Sequence, residues 1–226
     1  MTYKRGDKLH THDPGDLQFF TLSRFFPPHM MNYEGQALVI DPDIFALQSV
    51  VPLFKEYDAP IAACTKKDAW DSSVMILTNK NLTHWDPKKL LASLKNHSAN
   101  YTDIMTLKNE SVHEIPRTHN NLDTLTDDTI LLHTTNRLTQ PWRTGLPIDF
   151  IRNTPPKLFA IIPRIPILKL RGLWPDTYQR HPNKDIEKLT MNLFKEAYEA
   201  GALTDQEIQH ALKTSDIRKD IYEFLI

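Results

Sequence analysis

The residues with the clearest chemical potential are two aspartates separated by one position, Asp41 and Asp43, with Pro42 between them. They directly follow the apolar run Gln36–Ile40, whose composition predicts a buried strand. Carboxylates at a strand end supply hard oxygen ligands that suit Mn²⁺ or Mg²⁺. Such ions bind through a few carboxylates together with substrate phosphates, so a nucleotide diphosphate is the natural partner. The same three residues would also form an ordinary turn in which Pro42 fixes the bend, and the spacing alone leaves both interpretations open.

The elements that must position this pair follow from the periodicity of the apolar residues. The sequence predicts helices over residues 17–26, 44–57, 86–96 and 101–107, and strands over 36–40, 60–65, 72–78, 112–115 and 129–133. Asp86 is expected to cap its helix, because Pro87 follows at the first helical position. The alternation of strands and helices predicts an α/β layered fold.

The composition of the chain changes beyond residue 150, where a proline-rich stretch over 155–175 is followed by two predicted helices over 184–201 and 204–213. Thr204 and Glu207 have the spacing of a capping box. We therefore expect one domain over residues 1–150, followed over 151–226 by a proline-rich segment and a helical C-terminal extension. The apolar stretch 158–170 contains charges and prolines, so we expect it to pack on the domain rather than on a membrane surface.

The bulk composition limits the partners and the compartment. Among 226 residues, 27 Lys and Arg balance 28 Asp and Glu, so there is no electrostatic reason to expect nucleic acid. A single cysteine, Cys64, permits no intrachain disulfide, and the polar N-terminus lacks the apolar core of a secretory signal. We predict a cytoplasmic protein with no transmembrane segment, in which an oligomer is possible.

Three blocks of sequence, in order, resemble glycosyltransferases of the glycogenin and lipopolysaccharide galactosyltransferase type. The first comprises FTLSRF at 20–25 and GQALVIDPD at 35–43, where an arginine-bearing helix precedes an apolar strand and a D-x-D motif. The second, WDSSVMILTN at 70–79, is similar to the family's N-S-G-V-M-L-x-N strand. The third runs from LH at 132–133 to QPW at 140–142 and resembles the family's H-x-x-G-x-x-K-P-W block. The resemblance does not extend beyond residue 150.

The resemblance implies a GT-A-like mixed sheet flanked by helices, with a Mn²⁺ (or Mg²⁺) site formed by Asp41, Asp43 and His133. Mn²⁺ accepts mixed nitrogen and oxygen ligands, which agrees with that set. It also implies catalytic roles for Arg24 and Asp71, the latter at the position that faces the donor sugar. The residues expected to bind the diphosphate or the substrate are Arg24, Asn120, Arg137, Gln140, Trp142 and Arg143.

The chain departs from the family pattern in two places. The family has a lysine before Pro-Trp that holds the diphosphate, whereas this chain has Gln140, which cannot neutralise charge. Arg137 or Arg143 would have to supply the positive charge instead. The family also places a longer segment before D-x-D, including a βα unit that holds the nucleotide base. The resemblance therefore implies that this N-terminal part is lacking here.

These observations predict a hexosyltransferase that uses a nucleotide-diphosphate sugar as donor and a glycan or small hydroxyl compound as acceptor, with retention of anomeric configuration. The alternative is a non-catalytic, shortened relative that acts as a scaffold or partner subunit. A nucleotidyltransferase would need a glycine-rich phosphate loop, which six scattered glycines do not form. At single positions, His133 could be an ordinary hydrogen-bonded histidine, Arg24 a surface ion pair, and Trp142 a packing residue.

Overall fold

The computed structural model describes residues 2–11, 19–149 and 175–225. They form two compact units, Met1–His133 and Thr134–Ile226. The domain boundary that we expect at residue 150 remains a prediction, and the apolar stretch 158–170 lies outside the described residues. Within the described ranges, no helix is long and apolar enough to cross a membrane.

The first unit contains a mixed four-stranded sheet, a three-stranded sheet and a hairpin. The strands are β1 (Thr2–Arg5), β2 (Lys8–Thr11), β3 (Gln36–Ile40), β4 (Ile44–Ala46), β5 (Ile61–Lys66), β6 (Ala69–Thr78), β7 (Val112–Glu114), β8 (Asn121–Leu122) and β9 (Leu131–His133). The larger sheet has the order β3-β6-β5-β7, in which β6 pairs antiparallel with β3 and β5, and β7 pairs parallel with β5. The smaller sheet has the order β4-β9-β8.

The strand β6 organises the core because its successive side chains enter two different apolar clusters. Met75 and Leu77 pack with Phe25 and Trp85, whereas Ile76 packs in a cluster with Leu53 and Cys64. This alternation is the period of two expected for a strand that is covered on both faces. The α/β class with a mixed sheet flanked by helices is therefore confirmed.

The helices of the first unit are α1 (Pro27–Met30), α2 (Leu53–Glu56), α3 (Pro87–Lys95) and α4 (Tyr101–Met105). The predicted cap of α3 is confirmed, since the Asp86 side chain accepts hydrogen bonds from the backbone amides of Lys88 and Lys89. The sequence predicts a helix over residues 17–26, of which the structure describes residues 19–26. Instead, residues 19–25 form a 3₁₀ segment and Pro27 begins α1, because proline fits the first turn of a helix.

The predicted helix over residues 44–57 is wrong. Ile44–Ala46 forms the strand β4, and only Leu53–Glu56 is helical. The apolar spacing in this region suits either state, and the deciding interaction is non-local: Ile44 pairs with His133 of β9. Tertiary pairing therefore overrides the local pattern.

The second unit contains the helices α5 (Lys184–Glu199), α6 (Asp205–Thr214) and α7 (Tyr222–Leu225), so the helical C-terminal extension is confirmed. The capping box is present, because Thr204 Oγ1 accepts from the Glu207 amide while the Glu207 carboxylate accepts from the Thr204 amide. The core of this unit consists of Met191, Ile208, Ile217, Ile221 and Leu225.

The burial of Cys64 in β5 leads to a test of this arrangement. Desolvation raises the pKa of its thiol to about 11, and Sγ donates to the Pro116 carbonyl at 3.3 Å. Because the thiolate is the reactive form, we expect iodoacetamide at pH 8 to modify the native protein roughly a hundredfold more slowly than the urea-unfolded protein. Mass spectrometry at timed intervals measures both rates. Equal rates would show that β5 is accessible to solvent.

Candidate metal centre

Three side chains with metal-ligand chemistry converge where the two sheets of the first unit meet. Asp41 follows β3, Asp43 precedes β4, and His133 is the last residue of β9. The pairing of Ile44 with His133 brings the histidine next to Asp43. The separation between His133 Nε2 and Asp43 Oδ1 is 3.3 Å. One ligand atom from each of the three residues lies within 4.8 Å of the others.

The donor set fits a divalent cation. Asp41 and Asp43 are partly exposed while His133 is buried, so an ion would reach the site from the aspartate side. Two carboxylate oxygens and one imidazole nitrogen form a mixed oxygen and nitrogen set that several divalent metal ions accept. Burial raises the pKa of Asp41 above its usual value, Arg24 opposes that rise, and the charge of Asp43 adds to it. A cation between the carboxylates would relieve both the burial of charge and the repulsion.

Arg24 is tied to this site from the 3₁₀ segment Phe19–Phe25. Its Nη2 donates to Asp41 Oδ2, and its Nη1 donates to Ser72 Oγ at 3.0 Å. The guanidinium thus occupies one oxygen of Asp41 and leaves the other for an ion. The ion pair that the sequence left open is therefore present, and it is made with the first aspartate of the motif. A contact between Arg24 and donor phosphates remains a prediction.

Behind the three ligands, a buried chain of polar groups runs from His133 to Asp71. His133 Nδ1 lies 2.9 Å from Asn120 Oδ1, and Asn120 Nδ2 donates to Ser73 Oγ at 3.0 Å. Ser73 Oγ in turn donates to Asp71 Oδ1 at 2.6 Å. Burial alone would raise the pKa of Asp71, but the hydroxyl and the amide of Ser73 lower it below its usual value. The structure thus places Asn120 directly behind the histidine.

Asp71 and Arg24 also line a cavity of about 380 Å³, together with Arg5, Trp70 and Tyr101. In the part of the chain that the structure describes, Asp71 Oδ2 has no hydrogen-bond partner, although Lys66 Nζ lies 3.8 Å away. A buried carboxylate oxygen without a donor in the protein is available to accept a hydrogen bond from water or from a ligand. The cavity therefore combines a hydrogen-bond acceptor, aromatic rings and cationic groups.

Four of the expected substrate residues belong to the second unit. Arg143 forms an ion pair with Asp149 at 2.6 Å and stacks on the Tyr178 ring, and Arg137 lies 3.7 Å from the same carboxylate. Burial tends to raise the pKa of Asp149, yet hydrogen bonds from Tyr178 and Arg143 lower it. Trp142 packs against the apolar core of that unit, and Gln140 is nearly buried. Their approach to a donor remains a prediction.

Sequence reasoning missed Ser72, Ser73 and Lys66 as participants in this site. In the pairing of β5 with β6, Cys64 lies opposite Asp71 but the adjacent Ala63 lies opposite Met75. The residues between Asp71 and Met75, which include both serines, therefore form a bulge of β6. Bulges redirect side chains next to functional sites. A signal was present in the i, i+2 spacing of Asp71 and Ser73, which is the short-range spacing for side chain-to-backbone hydrogen bonding.

Comparisons with known proteins leave the function open. No protein-family model matches the chain, and no curated protein matches it. Among solved structures, it is similar to the glycosyltransferase GlyE of Streptococcus pneumoniae TIGR4, with 18% identity and a TM-score of 0.44. The similarity spans 54% of this chain and 38% of GlyE. A likeness of this degree assigns no activity, so a functional proposal must rest on the site itself.

Arg24 supplies a test of the metal centre that needs no substrate. Replacing it in Arg24→Met removes a positive charge beside Asp41, so Mn²⁺ alone should bind more tightly at pH 7.5. As the pH falls, the variant should lose Mn²⁺ at a higher pH than wild type, because the group that holds down the pKa of Asp41 is gone. Calorimetric titration at several pH values measures both effects.

The matched control is Arg5→Met, which removes a cation from the same cavity but not from Asp41. This variant should bind Mn²⁺ with a pH profile much closer to that of wild type. Weaker Mn²⁺ binding by Arg24→Met at pH 7.5 would show that the guanidinium shapes the site rather than repels the ion.

Proposed function

We propose that the chain is a metal-dependent glycosyltransferase of the GT-A type. It would transfer a hexose from a nucleotide-diphosphate sugar to a glycan or small hydroxyl acceptor. The observation that carries this proposal is the convergence of Asp41, Asp43 and His133 beside a cavity lined by Arg24 and Asp71. A cation site next to a hydroxyl-binding cavity suits a substrate that carries both a diphosphate and a sugar.

Each side chain has a role that follows from its chemistry. Asp41, Asp43 and His133 would hold Mn²⁺ or Mg²⁺, and the bound ion would neutralise the negative charge of the departing diphosphate. Arg24 would contact a phosphate or sugar oxygen with a guanidinium nitrogen, since it already spans Asp41 and Ser72. Asp71 would accept a hydrogen bond from a sugar hydroxyl through Oδ2, the oxygen without a partner.

The residues that would supply positive charge to the diphosphate are proposed on the family resemblance alone. Arg137 and Arg143 are the residues that we propose for this task, in place of the lysine that Gln140 replaces. Both arginines lie within ion-pair distance of Asp149, whose single charge offsets only one of them, and a diphosphate would have to compete with that carboxylate. Gln140 and Trp142 would contact the diphosphate or the substrate, as the family resemblance implies. We propose retention of anomeric configuration on the basis of the family resemblance alone.

The test of this proposal is the variant Asp43→Asn. An amide keeps the shape of the side chain but removes the charge that attracts a cation, so Mn²⁺-dependent binding of the donor should be abolished. Calorimetry with Mn²⁺ and a panel of nucleotide-diphosphate sugars measures binding, and circular dichroism reports whether the fold persists. The exposed carboxylate Asp58 supplies the control, Asp58→Asn, which should bind like wild type.

Donor binding that persists unchanged in Asp43→Asn would remove this aspartate from the function. Wild-type protein that binds no nucleotide-diphosphate sugar in the presence of Mn²⁺ would favour the scaffold or partner-subunit alternative instead.

A further inference from the structure

The donor and the acceptor can be assigned in each hydrogen bond of the buried polar network behind the metal centre. The assignment follows from the groups that each side chain can donate or accept with. The network comprises His133, Asn120, Ser73 and Asp71, and all four side chains are buried. An ionised carboxylate can only accept hydrogen bonds, so Asp71 Oδ1 requires the Ser73 hydroxyl to donate to it. The Ser73 amide donates to the same oxygen at 3.1 Å, which strengthens this assignment.

The donation by Ser73 determines the orientation of the next amide. With its own proton directed at Asp71, Ser73 Oγ is left as an acceptor and needs a donor from Asn120. The NH₂ group of Asn120 therefore faces the serine, and its carbonyl oxygen faces His133 at 2.9 Å. The reverse orientation would place the amide oxygen against the free lone pairs of Ser73. Only one orientation of the amide satisfies both neighbours.

We propose that Asn120 and Ser73 are positioning residues that hold a proton on Nδ1 of His133 and thereby present the Nε2 lone pair to a divalent cation. An amide oxygen cannot donate, so the nitrogen that faces Asn120 must carry the proton. Nε2 is the atom next to Asp43, where the ion would sit. Metal-bound histidines are commonly fixed in this way by an acceptor behind the ring.

This inference deepens the proposed function, because it rests on the metal site proposed there. It also assigns Asn120 a different task from the substrate contact expected from the sequence. Asn120 is 0% exposed, and its amide nitrogen and oxygen already form hydrogen bonds with Ser73 and His133. Its side chain therefore has no exposed polar atom with which to contact a substrate. The bulge in β6 places Ser73 between Asp71 and Asn120.

The location of the proton can be measured without metal or substrate. In ¹⁵N-histidine-labelled wild-type protein at alkaline pH, ¹H–¹⁵N correlation spectra should show a slowly exchanging proton on Nδ1 of His133. The variant His133→Ala identifies this signal among those of the ten histidines. A proton on Nε2 with a bare Nδ1 in wild type would overturn the inference, whatever the variants do.

Two variants of Asn120 separate hydrogen bonding from packing. Asn120→Leu keeps a similar volume but removes the acceptor, so the protected Nδ1 proton should disappear and the Kd for Mn²⁺ should rise ~10- to 100-fold. Asn120→Asp keeps an acceptor oxygen towards Nδ1, so it should retain the proton signal. A protected Nδ1 proton or an unchanged Kd in Asn120→Leu would overturn the positioning role.

The adjacent buried asparagine supplies a matched control. Asn121 donates from Nδ2 to Thr129 Oγ1 at 2.8 Å, so Asn121→Leu also loses a buried hydrogen bond but leaves Asn120 facing His133. It should keep both the Nδ1 proton and the Mn²⁺ affinity. If wild type shows the Nδ1 proton but binds no Mn²⁺, the proposed function fails and the metal-positioning role with it. Absence of that proton in a protein that binds Mn²⁺ would refute the inference alone.

Discussion

The pairing of β4 with β9 is the interaction on which the candidate site depends. Asp41 and Asp43 come from one part of the chain and His133 from another, and only the register of Ile44 opposite His133 brings them together. A slip of one residue would turn the His133 side chain to the other face of its strand. The strand β8 supports the same register from the other side, because Leu122 lies next to His133.

The polar groups behind the site are buried, so each of them needs a hydrogen-bond partner within the protein. A buried donor or acceptor without a partner costs free energy, so such a chain is stable only when each member satisfies the next. The chain from His133 to Asp71 meets this condition at every link. Asp71, the last member of the network, is the exception. Its Oδ2 has no hydrogen-bond partner among the described residues, and Asp71 also lines the cavity. The unsatisfied oxygen therefore belongs to the member of the network that borders the cavity.

The sequence predicts the local features of this protein and misses those that depend on distant pairing. The strand Gln36–Ile40, the Asp86 cap and the Thr204 capping box follow from neighbouring residues, and all three are confirmed. The aspartate pair and His133 are identified by their resemblance to a family, and the structure brings them together. The strand β4 and the role of Lys66 could not be foreseen, because they depend on strand pairing that no local spacing encodes. For Ser73, the i, i+2 spacing from Asp71 offers a local signal, but its contact with Asn120 depends on the bulge in β6.

The ion pair between Arg24 and Asp41 gives the aspartate pair a counterion within the protein itself. Without such a charge, two neighbouring aspartates tend to repel each other and to splay apart until a metal arrives. Here the guanidinium already offsets the charge of Asp41, so an approaching cation has to bind against that positive charge. The protein alone therefore already offsets part of the repulsion between the two aspartates, so a cation gains less free energy by binding between them than it would without Arg24.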